Sequence, residues 1–189
     1  KLKKYIIGYN EVVKLKDNKF EIQYSEQKFL IDGSSNFYIE DDFKNLLNFN
    51  ILKKNNKTFF ESFLNLQNID IKIDDIGYKK IKNDNASLLI KGFESNKKIV
   101  FKNINYIEEN NEIEINNLEI NNNKILNIDK IRFDYLTEDN IKNQLILNKK
   151  NNNYELIGKS FNAIPLIENI SNSESDKGFF EIFKNLNKK

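Results

Sequence analysis

The residue types that carry most enzyme chemistry are missing, since the 189-residue chain has no His, Cys, Met or Trp. Without imidazole or thiol there is no Ser-His-Asp or Cys-His relay, and no thiolate or imidazole metal site. Acid–base work would fall to carboxylates alone. The 28 Asp and Glu residues are interspersed with 30 Lys and Arg. No two carboxylates stand apart in a Gly-rich or cleft-forming context, so they read as solvated surface. No catalytic residue, metal or cofactor is expected. What the chain does repeat is apolar side chains at alternate positions, and their chemistry is the non-directional removal of hydrocarbon from water.

That alternation defines the elements. Ile69, Ile71, Ile73 precede Ile76, Tyr78; Ile99, Phe101 precede Ile104, Tyr106; Ile113, Ile115 precede Leu118, Ile120; Leu126, Ile128 precede Ile131, Phe133, Tyr135. Period two is the mark of a strand with one apolar and one wet face. Each stretch also changes phase, at Asp74-Asp75, Lys102-Asn103, Asn116-Asn117 and Asp129-Lys130. Two readings of these steps are open. As β-bulges they keep the apolar side chains on one face, and in successive strands they crease the sheet into a trough. As two-residue hairpin turns they also keep the flanking residues on one side. Both give a curved antiparallel meander.

The chain reads as a single β-rich domain with three parts. Residues 1–68 are a mixed strand and helix portion, 69–161 the meander, and 162–189 a helical end. In the first part Phe20, Ile22 and Tyr24 alternate, and Gly33-Ser34-Ser35-Asn36 reads as a turn. Phe43, Leu46 and Leu47 then take helical spacing after Asp41-Asp42, which predicts a helix over 41–50. Thr58 and Glu61 form a capping-box pattern ahead of Phe59, Phe60, Phe63 and Leu64, which predicts a second over 58–66. Within the meander, turns are expected near 83–85, 95–96, 108–111, 121–123, 137–140 and 151–153. Asn162 can cap a helix over 162–170 whose first turn accepts Pro165, the only proline. Phe179, Ile182, Phe183 and Leu186 fit an amphipathic helix over 176–187. The fold class is therefore mainly β, an open or half-open antiparallel trough with a few short helices.

Four short helices hide less apolar area than a meander of six or more strands offers, which leaves a hydrophobic groove. The opposing reading is a closed sandwich or barrel in which the same residues are core. The net charge of +2, with cations and anions intermingled and a single Arg, Arg132, lacks the basic stripe of a nucleic-acid site. No segment approaches the roughly 20 apolar residues of a membrane-spanning helix. Absence of Cys fits a compartment where stray thiols are a hazard, such as a bacterial periplasm. A chain that starts at Lys1 and has no Met reads as part of a larger protein, with a leader or membrane anchor before it.

Particular runs resemble a known family. Ile104-Asn105-Tyr106-Ile107, Glu112 through Ile120 and Ile128 through Tyr135 resemble the β-rich repeats of AsmA-like proteins of the YhdP type. Tyr154-Glu155-Leu156-Ile157-Gly158, followed by Phe161-Asn162-Ala163-Ile164-Pro165-Leu166-Ile167, is similar to that family's strand, glycine, then "D-A-x-P-L-L" element opening a short helix. Asn162 stands where the family has Asp, which keeps the cap and loses the charge. The resemblance covers about residues 69 to 183. It implies a piece of a large Gram-negative envelope protein, anchored in the inner membrane and extending through the periplasm. Its hydrophobic β-groove would carry phospholipid to the outer membrane, beside other envelope proteins. Acyl chains would lie against Ile99, Phe101, Ile104, Tyr106, Ile113, Ile115, Leu118, Ile120, Ile128, Ile131 and Phe133. The rival expectation is a periplasmic or surface protein-binding module that uses open sheet edges and aromatic patches.

Overall fold

The computed structural model describes residues 12–39, 43–122, 124–151, 153–165 and 167–168. Thirteen strands follow in chain order. They are β1 (Lys14–Ser25), β2 (Lys28–Tyr38), β3 (Asn45–Lys54), β4 (Lys57–Asn65), β5 (Ile71–Ile73), β6 (Tyr78–Lys80), β7 (Ala86–Ser95), β8 (Lys98–Glu108), β9 (Asn111–Asn121), β10 (Lys124–Asn127), β11 (Lys130–Leu136), β12 (Lys142–Lys150) and β13 (Asn153–Ser160). Eleven of them form one sheet in the order β1-β2-β3-β4-β7-β8-β9-β11-β12-β13, with β10 also on β9; β5 and β6 pair separately. Every pairing is antiparallel, and among the described residues β1 pairs only with β2 and β13 only with β12. The sheet is not closed into a barrel.

The predicted helices over 41–50 and 58–66 are strands β3 and β4, joined by a two-residue turn at Asn55-Asn56. Both turn residues have positive φ, 52° and 56°, as a type I′ hairpin turn requires and Asn tolerates. The misreading has a physical cause. Leu46-Leu47, Ile51-Leu52, Phe59-Phe60 and Phe63-Leu64 are adjacent apolar pairs whose members point to opposite faces of the sheet. Two apolar faces superimposed produce i, i+3, i+4 spacing at Phe43, Leu46 and Leu47 and i, i+1, i+4, i+5 spacing from Phe59 to Leu64, which imitates a helix. The element at Pro165 does turn helically. The Ile164 N–H donates to Asn162 Oδ1 (3.1 Å) and the Ile167 N–H to the Ala163 carbonyl (2.9 Å), so Asn162 is its cap. The predicted helix over 176–187 lies outside the described residues.

Three of the four phase steps are irregularities along the sheet, two within a strand and one between β10 and β11, and none is a hairpin turn. Lys102 is the extra residue of β8 opposite the Lys91/Gly92 step of β7. Asn117 lies within β9 at a φ of 50°, and Asp129 falls in the gap between β10 and β11. The pairing registers bring all three into one row across neighbouring strands. Side chains tie the row together: Lys102 Nζ donates to Asn117 Oδ1 (3.0 Å), and Asn117 Nδ2 to Asp129 Oδ2 (2.8 Å). Bulges aligned in this way bend adjacent strands together and crease the sheet. A further bulge, at Asp17-Asn18, interrupts β1.

The fourth step behaves differently. Asp74–Ile76 is a single 3-10 turn, closed by Gly77 at φ 62°, and it joins β5 to β6. Residues 66–85 thus leave the large sheet, and the meander does not begin at Ile69 as expected. The departure is closed at its base, where Leu66 N–H donates to the Ala86 carbonyl (2.8 Å) and Asn83 N–H to the Gln67 carbonyl (2.9 Å). This excursion lies over one end of the apolar sheet face. Leu66, Ile69, Ile76 and Tyr78 from it are buried with Phe37, Ala86, Tyr106 and Tyr135 of the sheet. A second, smaller core joins Ile128, Ile131 and Leu147.

Candidate functional site

Strand register lines up the apolar face in rows. Leu47, Leu64, Leu88, Tyr106, Ile113 and Phe133 stand opposite one another across six strands, and Ile90, Ile104, Ile115, Ile131 and Leu147 form the next row. A third row runs Ile51, Phe60, Gly92, Phe101 and Leu118. Gly92 is required there, because a Cβ would sit 2.3 Å from the Val100 carbonyl oxygen and 2.7 Å from the Phe60 ring. Its bareness lets the Phe60 ring lie across β7 and meet Phe101 edge-on, at 5.7 Å between centroids.

Between these rows and the excursion is a cavity of about 520 Å³. Sheet residues Phe37, Leu47, Leu64, Leu88, Ile90 and Ile113 line it from one side, and Ile69, Ile71, Ile73 and Tyr78 from the other. Val13 and Leu15, at the start of β1, border it as well. β1 and β9 are six strand spacings apart, about 29 Å in a flat sheet. One cavity touching both strands therefore requires the sheet to curl around the excursion, which makes the face a trough. Volume and apolar lining fall in the range of small-molecule pockets, without the convergent polar groups that most such pockets carry.

Polar groups hold the excursion in place from outside that cavity. The Tyr78 hydroxyl donates to the Glu108 carboxylate and lies 2.6 Å from the Tyr106 hydroxyl, while Asn111 Nδ2 donates to the same carboxylate (3.0 Å). The Tyr135 hydroxyl donates to the Ile76 carbonyl (2.7 Å). Burial pushes all three tyrosine hydroxyls above their ordinary pKa. Tyr78 meets the rings of Tyr106 and Tyr135 nearly perpendicularly, with centroids 5.8 and 5.6 Å away. Lys80 is 1% exposed. Its ammonium donates to the carbonyls of Gln67 (3.0 Å), Ile69 (2.9 Å) and Ile81 (2.7 Å), tying both strands of the excursion to its neck. Desolvation lowers its pKa. These groups are spent on one another, and among the described residues no cluster of three or more acidic side chains is arranged to hold a metal.

The eleven residues singled out from the sequence share this apolar surface but differ in environment. Tyr106 and Ile113 line the cavity. Ile128 and Ile131, at 2% and 1% exposure, are sealed in the second core. Ile115, Leu118 and Phe133 are half-buried against that core, and Phe101, Ile104 and Ile120 are half-buried beside it. Ile99 is exposed. Most of the cavity lining comes instead from β2, β3, β4, β7 and the excursion. The alternation Leu47, Phe49, Ile51 and its mirror Phe60, Ser62, Leu64 carried that information, hidden behind the apolar residues of the opposite face.

No family model, no curated protein and no solved structure matches this chain.

Proposed function

We propose that the chain is a non-enzymatic lipid-binding and lipid-transport segment, whose trough holds the acyl chains of phospholipid while the head groups stay in water. The observation that carries this reading is the apolar cavity under the excursion, continuous with a sheet face that the described residues leave uncovered beyond it. At about 0.8 kcal/mol per methylene, ten methylenes removed from water contribute roughly 8 kcal/mol before ordering costs. Because that attraction has no direction, a bound chain can slide within the trough. The resemblance of the meander and of the Asn162 to Pro165 element to AsmA-like proteins of the YhdP type supports a place in the Gram-negative periplasm. There the segment would belong to a protein anchored in the inner membrane.

Native mass spectrometry of the chain, purified from cells with their envelope membranes present and followed by lipid extraction, tests the reading. Bound phospholipid is expected, and Ile90→Trp, which fills the cavity from the sheet side, is expected to remove it while circular dichroism stays unchanged. Ile131 is unsuitable for this test because a polar residue at 1% exposure disrupts the core itself. A lipid-free mass, with no uptake from vesicles, sinks the proposal. It would favour the second reading, a protein-binding module, which rests on the outer edges of β1 and β13, unpaired among the described residues.

A further inference from the structure

The charges that look intermingled along the sequence are distributed unevenly by the fold, with lysine gathered at one end of the trough. Successive strands alternate in direction, so the turns after β1, β3, β7, β9 and β12 all fall at one end of the sheet. Within two residues of these five turns there are nine lysines and two glutamates. Lys28, Lys53, Lys54, Lys57, Lys97 and Lys124 are all exposed. At the other end, where the excursion covers the apolar face, the charges are mixed: the turns after β8 and β11 carry five acidic residues and a single lysine within the same reach, and the excursion adds four aspartates and four lysines.

The lysine-rich end is also the end the excursion leaves open. Tyr24 and Ile99 lie exposed there on the trough face, and Phe59 on the opposite face. Cationic side chains beside exposed aromatic and aliphatic ones are the combination that lies well at a lipid surface: the cations meet anionic head groups and the aromatic groups sit at head-group depth. A nucleic acid fits this end less well, since none of these turns carries an Arg.

We infer that this lysine rim is a docking surface for an anionic phospholipid bilayer, and that it presents the open end of the trough to the membrane. The inference deepens the lipid-carrying reading and rests on it for what happens after contact. Lipid would then enter between the turns of β1 through β9, at the end opposite the excursion.

The test is co-sedimentation of the full chain with phosphatidylcholine vesicles, with and without phosphatidylglycerol. It is repeated for the triple variant Lys53→Glu, Lys54→Glu, Lys57→Glu, whose positions are exposed and can change without disturbing the core. Binding that requires phosphatidylglycerol, weakens with salt and falls about tenfold or more in the variant supports the rim. Equal binding to both vesicle types, wild-type binding by the variant, or tighter binding to a soluble polyanion such as heparin than to the vesicles overturns it. Uptake of a fluorescent fatty acid from solution, measured on the same samples, reports on the trough alone. Its failure alongside phosphatidylglycerol-dependent sedimentation removes the lipid-carrying reading and leaves the docking surface standing.

Discussion

The two ends of this sheet are built from the same strands with the same alternation, yet one is a core and the other a surface. At the covered end Phe37, Tyr106 and Tyr135 are at most 9% exposed, whereas Tyr24 and Ile99 at the other end are 80% and 36% exposed. The difference is the excursion of residues 66–85. It supplies Ile69, Ile76 and Tyr78 as a second layer, and it closes its own polar groups through Lys80, Tyr78 and Glu108. An apolar strand face is only potential core, and whether it becomes core depends on what the chain lays over it.

Ways to break the comparison start with alkali, which acts most strongly on the covered end, where three buried tyrosines stand against the half-buried Tyr154 at the other. Tyr78, Tyr106 and Tyr135 resist ionisation in the folded state, while in the unfolded chain they ionise near pH 10. The folded state then holds more protons than the unfolded one, so stability is intact below pH 10 and falls above it, by up to about 1.4 kcal/mol per tyrosine per pH unit. Lys80 works in the opposite sense, its lowered pKa adding stability as pH rises toward 10.5, but it is one group against three. Unfolding that coincides with a rise in tyrosinate absorbance is expected in a pH titration.

Next in size is Tyr78→Ala. Emptying the most buried part of the excursion should cost about 3–5 kcal/mol in a urea melt and open residues 66–85 to proteolysis before the sheet unfolds. Lys80→Met should cost about 2 kcal/mol by removing the ammonium that donates to three carbonyls, of which Gln67 keeps the Asn83 N–H while the buried Ile69 carbonyl loses its charged donor, with the same proteolytic signature. Ile22→Ser, at the open end, is expected to change stability by less than about 0.5 kcal/mol while lowering Nile red binding. If Ile22→Ser destabilised the chain as much as Lys80→Met does, the two ends would not differ and the contrast would fail.

Legibility followed how many faces of a strand are apolar. Between Ile99 and Tyr135 one face is apolar and the other polar, so period two was plain and the strands β8, β9 and β11 stood out. The crease was visible there too, as phase steps at Lys102, Asn117 and Asp129, although the alternation alone did not separate bulges from hairpin turns. In β3 and β4, where Leu52 and Phe59 add a second apolar face, the same physics looked helical. The Asn55-Asn56 pair, a good type I′ turn, was the cue that could have decided it. Of the site, Tyr106 and Ile113 were found from their own strands. Leu47, Leu64 and the Ile71-Ile73 pair were not, because no local pattern reveals which strand face a distant segment will cover.

Composition by itself removed imidazole and thiol chemistry, and periodicity by itself determined that the chain is mainly an antiparallel sheet with one continuous apolar face. Both are local properties, set by side-chain type and by the two-residue repeat of the extended backbone. The tertiary structure alone decided that residues 66–85 fold back as a second layer, that Ile128 and Ile131 are core while Ile99 is surface, and that nine lysines gather at one end. Those outcomes depend on strand order and direction, which bring residues far apart in sequence onto a common face or rim, and alternation within a strand carries no record of them.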